Sequence, residues 1–118
     1  MARPAAGPVP HRGWLDGEFR RGDPADLAEA GRALGRYDAR PLARDIDVPT
    51  AVVLTTKDNL VDPRKQRALA AATRAKVFEF EGDHLAAMIK SEEFARVTLA
   101  AIAAVSRQVE ADEGEQVP

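Results

Sequence analysis

The run Ala51-Val52-Val53-Leu54 constrains this chain more than any other stretch. Its apolarity is continuous rather than alternating, the pattern of a strand buried on both faces in a parallel sheet covered by helices. Pro49 stands just before it and cannot donate to a ladder, which suits a strand start, so the strand is read as Thr50 to Thr55. A polar turn carrying Asp58 follows. The next stretch, Pro63 to Thr73, is compatible with a helix, because Asp62 can cap it and Pro63 fits the first helical position. A second short strand, Val77 to Phe80, leads into Gly82-Asp83-His84. Strand, helix and strand in this order make a β-α-β unit with parallel strands. Asp58 and His84 then emerge at the same carboxyl-terminal edge of one sheet, where the sites of open α/β sheets lie.

The flanking segments divide the chain further. Residues 1–22 read as a flexible arm, since Pro4, Pro8 and Pro10 with Gly7, Gly13, Gly17 and Gly22 interrupt any period. Trp14, Leu15 and Phe19 are its only sizeable apolar anchors, and His11 reads as solvated. Residues 23–48 hold a helix, Asp23 to Leu34, and a connector. Asp23 can cap that helix, Leu27, Ala30 and Leu34 share one face, and Gly35 suits its stop. Pro41 and Pro49 bracket a segment with room for one helical turn. Residues 49–108 form the α/β portion. In its second strand Phe78 and Phe80 share one face, while Val77, Glu79 and Glu81 share the other, as at a wet sheet edge. Its last helix runs from Ser91, read as the cap, to Arg107, with Phe94, Val97, Ala101 and Val105 along one face. Residues 109–118 are acidic and read as a disordered tail.

Composition narrows the function classes. At 118 residues the chain is one domain at most. Apolar residues make up 45% but aromatics only 5%, so the core must be built from Ala, Leu and Val. The net charge of −2 and the lack of a basic block speak against a nucleic-acid partner. There is no Cys, hence no disulfide, thiolate zinc site or Cys nucleophile, and two His without metal-ligand spacing imply no metal. No cofactor is implied. No apolar run approaches the ~18 residues of a membrane span, and no secretory apolar segment opens the chain, so the default location is cytoplasmic. Arg64, Lys65 and Arg67 crowd the positive end of a helix, and nothing in the sequence explains them.

A histidine held by a carboxylate can act as general base and then as general acid, and the Asp58–His84 spacing allows such a pair. Two other acids compete for the role. Asp62 stands before Pro63 and suits capping, and Asp83 adjoins His84, so it would point away from the ring.

The segment Asp45 to Arg107 resembles the carboxyl-terminal part of the α/β-hydrolase fold family. The resemblance is carried by Val48-Pro49-Thr50 at the strand start, by Lys57-Asp58-Asn59-Leu60-Val61-Asp62-Pro63 after it, by Gly82-Asp83-His84 after the second strand, and by the final helix. It implies a partial α/β-hydrolase fold in which Asp58 is the triad acid, His84 the triad base, and residues 23–48 a lid-like helix and connector. It also implies a small-molecule ester or other acyl substrate. The family's nucleophile sits upstream of the acid in a G-x-S-x-G elbow. Here Ser91 and Ser106 both follow His84, and no Ser or Cys precedes Asp58. Gly13-Trp14-Leu15-Asp16-Gly17 has the wrong spacing to replace the elbow. The expectation is therefore the carboxyl-terminal portion of a serine-type hydrolase, inactive alone. Its partner would be the missing amino-terminal half, or a second copy joined at the exposed sheet edge. The alternative is a non-catalytic interaction module, or a decayed remnant, built on the same β-α-β core.

Overall fold

The structure is a computed structural model that describes residues 11–116, with side chains from Gly13 onward. Residues 1–10, the greater part of the expected arm, and residues 117–118 lie outside the described residues. The chain divides into two compact units between Tyr37 and Asp38.

The first unit corrects the reading of residues 11–22 as irregular. His11–Arg21 is a helix, α1. Ion pairs one turn apart support it, Asp16 with Arg20 at 3.1 Å and Glu18 with Arg21 at 3.3 Å. Arg20 and Arg21 also complement its negative end. These local terms of attraction outweigh Gly13 and Gly17, each of which costs a helix about 1 kcal/mol. The second helix, α2 (Pro24–Arg36), starts as the sequence implies, with the Asp23 carboxylate accepting the Ala25 N–H at 2.8 Å. Gly35 does not stop it. Its φ is not positive, and the helix ends instead where Tyr37 turns to extended backbone.

The second unit is a mixed α/β unit. Its elements are α3 (Arg40–Ala43), β1 (Ala51–Thr55), α4 (Pro63–Ala72), β2 (Lys76–Phe80), α5 (Ala86–Ile89) and α6 (Ser91–Glu115). The strands β1 and β2 are parallel, with Ala51 opposite Lys76 and Thr55 opposite Phe80. Beyond β1 the pairing continues, since Thr56 N–H donates to the Phe80 carbonyl at 2.9 Å and Lys57 N–H to that of Gly82 at 3.0 Å. The two loops that leave the sheet are thus stitched together before either reaches its functional residue. Asp62 caps α4 through the Arg64 N–H at 2.8 Å.

Helices α4 and α6 both pack on the sheet, and the core between them is built mostly of small residues. Leu54 is fully buried, and Phe80, Ala70, Ala86, Ala101 and Ala104 are buried as well. Phe94 of α6 meets Phe80 edge to face, with ring centroids 5.7 Å apart. Burial of β1 is less complete than its apolarity implies. Ala51, Val52 and Val53 are only half-buried, because β2 is the sole strand beside β1 among the described residues.

Two further expectations are corrected. Ser91 does not cap α6; Lys90 precedes the helix without a side-chain bond to its first turn, and Ser91 is its first residue. The stretch read as a disordered tail continues α6 to Glu115. Gln108 Nε2 donates to Asp112 Oδ1 one turn on, at 2.7 Å, and Val109, Glu110 and Ala111 offer the helix no breaker. Two of the three unexplained cations acquire partners. Arg64 pairs with Asp62 at 2.8 Å, and Arg67 reaches Glu79 at 2.6 Å, which ties α4 to β2.

Candidate active site

Asp58 lies three residues past β1, in a turn that its own side chain helps to build. Its Oδ1 accepts the N–H groups of Leu60 and Val61, both at 2.9 Å. This short-range arrangement is the reason an Asp suits the position, because a carboxylate can bond backbone amides two and three residues ahead. Its Oδ2 accepts the Thr55 hydroxyl at 2.9 Å and faces the imidazole of His84, with Nδ1 at 3.0 Å. The Asp58 side chain is only 4% exposed, whereas that of His84 is 47% exposed. A sheltered acid therefore holds a ring that remains open to reactants.

The electrostatics fix the proton. Burial pushes the Asp58 carboxyl up. The Val61 amide, His84, the Leu60 amide and the Thr55 hydroxyl together outweigh it and bring the group down to about 2. At neutral pH Asp58 is a carboxylate and can only accept. His84 Nδ1 must then donate, which puts the neutral ring in its Nδ1–H tautomer and leaves the Nε2 lone pair to take a proton. Among the described residues Nε2 has no hydrogen-bond partner.

The loop that delivers His84 depends on Gly82. A Cβ there would crowd the rings and methyls of Phe80 and Ala86, so only glycine lets β2 turn this tightly into α5. Asp83 then accepts the Leu85 N–H at 2.9 Å and shapes the start of α5. Around this loop Lys57 pairs with Glu81 at 2.6 Å, and Lys90 Nζ donates to the Glu81 carbonyl at 3.0 Å. These groups border an open depression of about 350 Å³ that Asn59, Asp83 and Ile89 also line.

The two residues singled out from the sequence, Asp58 and His84, are thus in hydrogen-bond contact. The rival acids are engaged elsewhere, Asp62 in capping α4 and pairing with Arg64, Asp83 in the turn of α5. Thr55 and Gln66 carry no signal in the sequence that marks them as parts of this site. Gln66 Oε1 accepts the Thr55 N–H at 3.0 Å, and its Nε2 donates to the Val61 carbonyl at 2.9 Å. Gly82, two residues before His84, is legible as part of the Gly82-Asp83-His84 motif. Among the described residues, no group of three or more His, Cys, Asp or Glu is gathered as a metal would require. No described helix is long and apolar enough to cross a membrane.

The fold and site define a mixed α/β unit with a two-stranded parallel sheet and an Asp–His pair at its carboxyl-terminal edge. Compared with protein-family models, with curated proteins and with solved structures, the chain matches none.

Proposed function

We propose that Asp58 and His84 are the acid and base of a serine-type hydrolase site of the α/β-hydrolase kind, acting on an ester or other acyl substrate. The observation that carries this reading is the 3.0 Å bond between the buried Asp58 carboxylate and Nδ1 of the half-exposed His84. In such a site Nε2 takes the proton of a serine hydroxyl as it attacks the acyl carbon, then returns it to the leaving group. Asp58 holds the tautomer and stabilises the imidazolium in between. The nucleophile would come from a polypeptide segment outside this sequence, carrying a strand-turn-helix elbow. The α/β unit is then the acid-and-base portion of a partial α/β-hydrolase fold.

The test begins with the DNA upstream of the coding sequence, where an in-frame G-x-S-x-G is expected. The chain is then produced together with that segment and assayed on a nitrophenyl ester. Turnover should fall by about 10²-fold or more in His84→Ala, the scale of a lost general base. An assembly that hydrolyses the ester equally well with His84→Ala and with Asp58→Asn would refute the reading.

A second reading, an interaction module without catalysis, is favoured by the outer edge of β1. Apolar grooves flank that edge on both faces, one with Val52 and Leu69, the other with Val53 and Ile102. A stop codon directly upstream, with ribosome initiation at Met1, would turn the balance towards it.

A further inference from the structure

We propose that Gln66 is a positioning residue for the Asp58–His84 pair, holding the end of β1 and the acid-bearing turn as one piece. The proposal rests on the hydrolase reading above. Gln66 projects from α4 and bonds groups on both sides of Asp58. Its Oε1 accepts the Thr55 N–H at 3.0 Å. Its Nε2 donates to the Thr55 hydroxyl at 3.0 Å and to the Val61 carbonyl at 2.9 Å, and stands 3.5 Å from Asp58 Oδ2.

Each bond bears on the acid. The Thr50 carbonyl and the Thr56 N–H bond to β2, so alternate residues of β1 face that strand. Thr55 faces the opposite edge, where no strand is found among the described residues, and Gln66 supplies its acceptor. This bond also fixes which way round the Gln66 amide lies, with Nε2 turned to Thr55 Oγ1. A hydroxyl has one proton. Oγ1 accepts from Gln66 Nε2, and its proton goes to Asp58 Oδ2 at 2.9 Å, a nearer acceptor than Gln66 Oε1 at 3.4 Å. Val61 is gripped at both ends, its N–H by Asp58 and its carbonyl by Gln66. Removing Gln66 frees the hydroxyl to turn and loosens the turn that Asp58 closes, so the carboxylate no longer meets the imidazole in one fixed pose.

The test is proton NMR of the full chain in dilute solution. In the wild type the His84 Nδ1–H should give a resolved downfield signal. Gln66→Met keeps the length of the side chain and removes all its hydrogen bonds. Gln66→Glu keeps the acceptor for Thr55, loses the donors and sets a second carboxylate beside Asp58. Both variants should lose the ring-proton signal, with the Leu60 and Val61 amides exchanging about tenfold faster, as expected for the loss of about one hydrogen bond. The α6 amides should be unchanged. If Gln66 merely closed the edge of β1, only the Thr55 amide of Gln66→Met would exchange faster; a ring signal that persists in both variants overturns the proposal. Asp58→Asn separates the two claims. A signal lost there but kept in both Gln66 variants overturns the positioning role alone. A signal that survives Asp58→Asn overturns the pair, and with it the hydrolase reading. Should Gln66→Met fail to fold, Gln66→Glu, which retains the Thr55 bond, decides the matter.

Discussion

A Cβ added to Gly82 would stand 2.5 Å from the Cβ of Ala86. Phe80 Cε1 would lie almost as close, at 2.6 Å. Phe80 ends β2 and Ala86 opens α5, and both are buried, so neither can yield without disturbing the core. We expect Gly82→Ala to lower stability by about 1–3 kcal/mol, the usual cost of overpacking. Urea unfolding followed by circular dichroism measures it, and an unchanged midpoint would contradict the close packing at this turn.

Acid should weaken the fold through Asp58. Its carboxyl is held at about 2, below the ordinary value of 3.8, so the folded state binds its proton less readily than the unfolded chain. The stabilisation is complete above about pH 3.8 and is lost as pH falls through about 2. Asp38, Asp62 and Glu81 are lowered as well and share the slope. Asp58→Asn removes only its own part. The variant should melt at lower temperature than the wild type at neutral pH, and the gap should narrow towards pH 2. A gap that stays constant with pH would show that the carboxylate charge contributes nothing.

Ester hydrolysis by the chain alone should not rise above background. Ser91 and Ser106 both lie on α6, and Ser106 borders the groove beside Ala51 and Val53, at the opposite end of β1 from Asp58. An Asp–His pair can activate water only against a substrate that something holds in place. Turnover of nitrophenyl acetate that vanishes in His84→Ala would overturn this expectation.

Self-association should appear as concentration rises. Leu99 and Ile102 of α6 are 64% and 55% exposed, and Ile102 borders the half-buried outer side of β1. A surface of this kind favours contact with a second copy. Sedimentation velocity should show a mean mass that grows with concentration, and Ile102→Lys should reduce that growth. A monodisperse monomer at every concentration would count against it.

The β-α-β unit was legible because its signals are local and agree with one another. Ala51 to Leu54 form an apolar run, Asp62 and Pro63 start a helix, and Phe78 and Phe80 alternate with charge. Parallel pairing then brought Asp58 and His84 to one edge without further information. Gln66 was not legible. On paper it is one polar residue among Arg64, Lys65 and Arg67, and only the crossing of α4 over the end of β1 distinguishes it. The helix α1 is hard to read from sequence because Gly13 and Gly17 interrupt it, while the pairs Asp16–Arg20 and Glu18–Arg21 that support it show only once the turn is formed. The extension of α6 is masked in the sequence by its acidity, which disordered tails share, whereas helix propensity and the Gln108–Asp112 bond carry the helix on.

The 25 residues of α6 rise about 37 Å at 1.5 Å each, whereas a five-residue strand spans about 16 Å. Its early turns are anchored by Phe94, Ala101 and Ala104, but from Ser106 to Gln116 every residue except Asp112 is exposed. One continuous helix therefore lives under two regimes. The anchored turns open only when the sheet and core come apart, and the overhanging turns unwind on their own from Glu115 inward, as a peptide would. Amide protection should consequently fall in a staircase along α6, with its step near Val105, so that a single helix reports separately on the cohesion of the unit and on the bare cost of one helical turn.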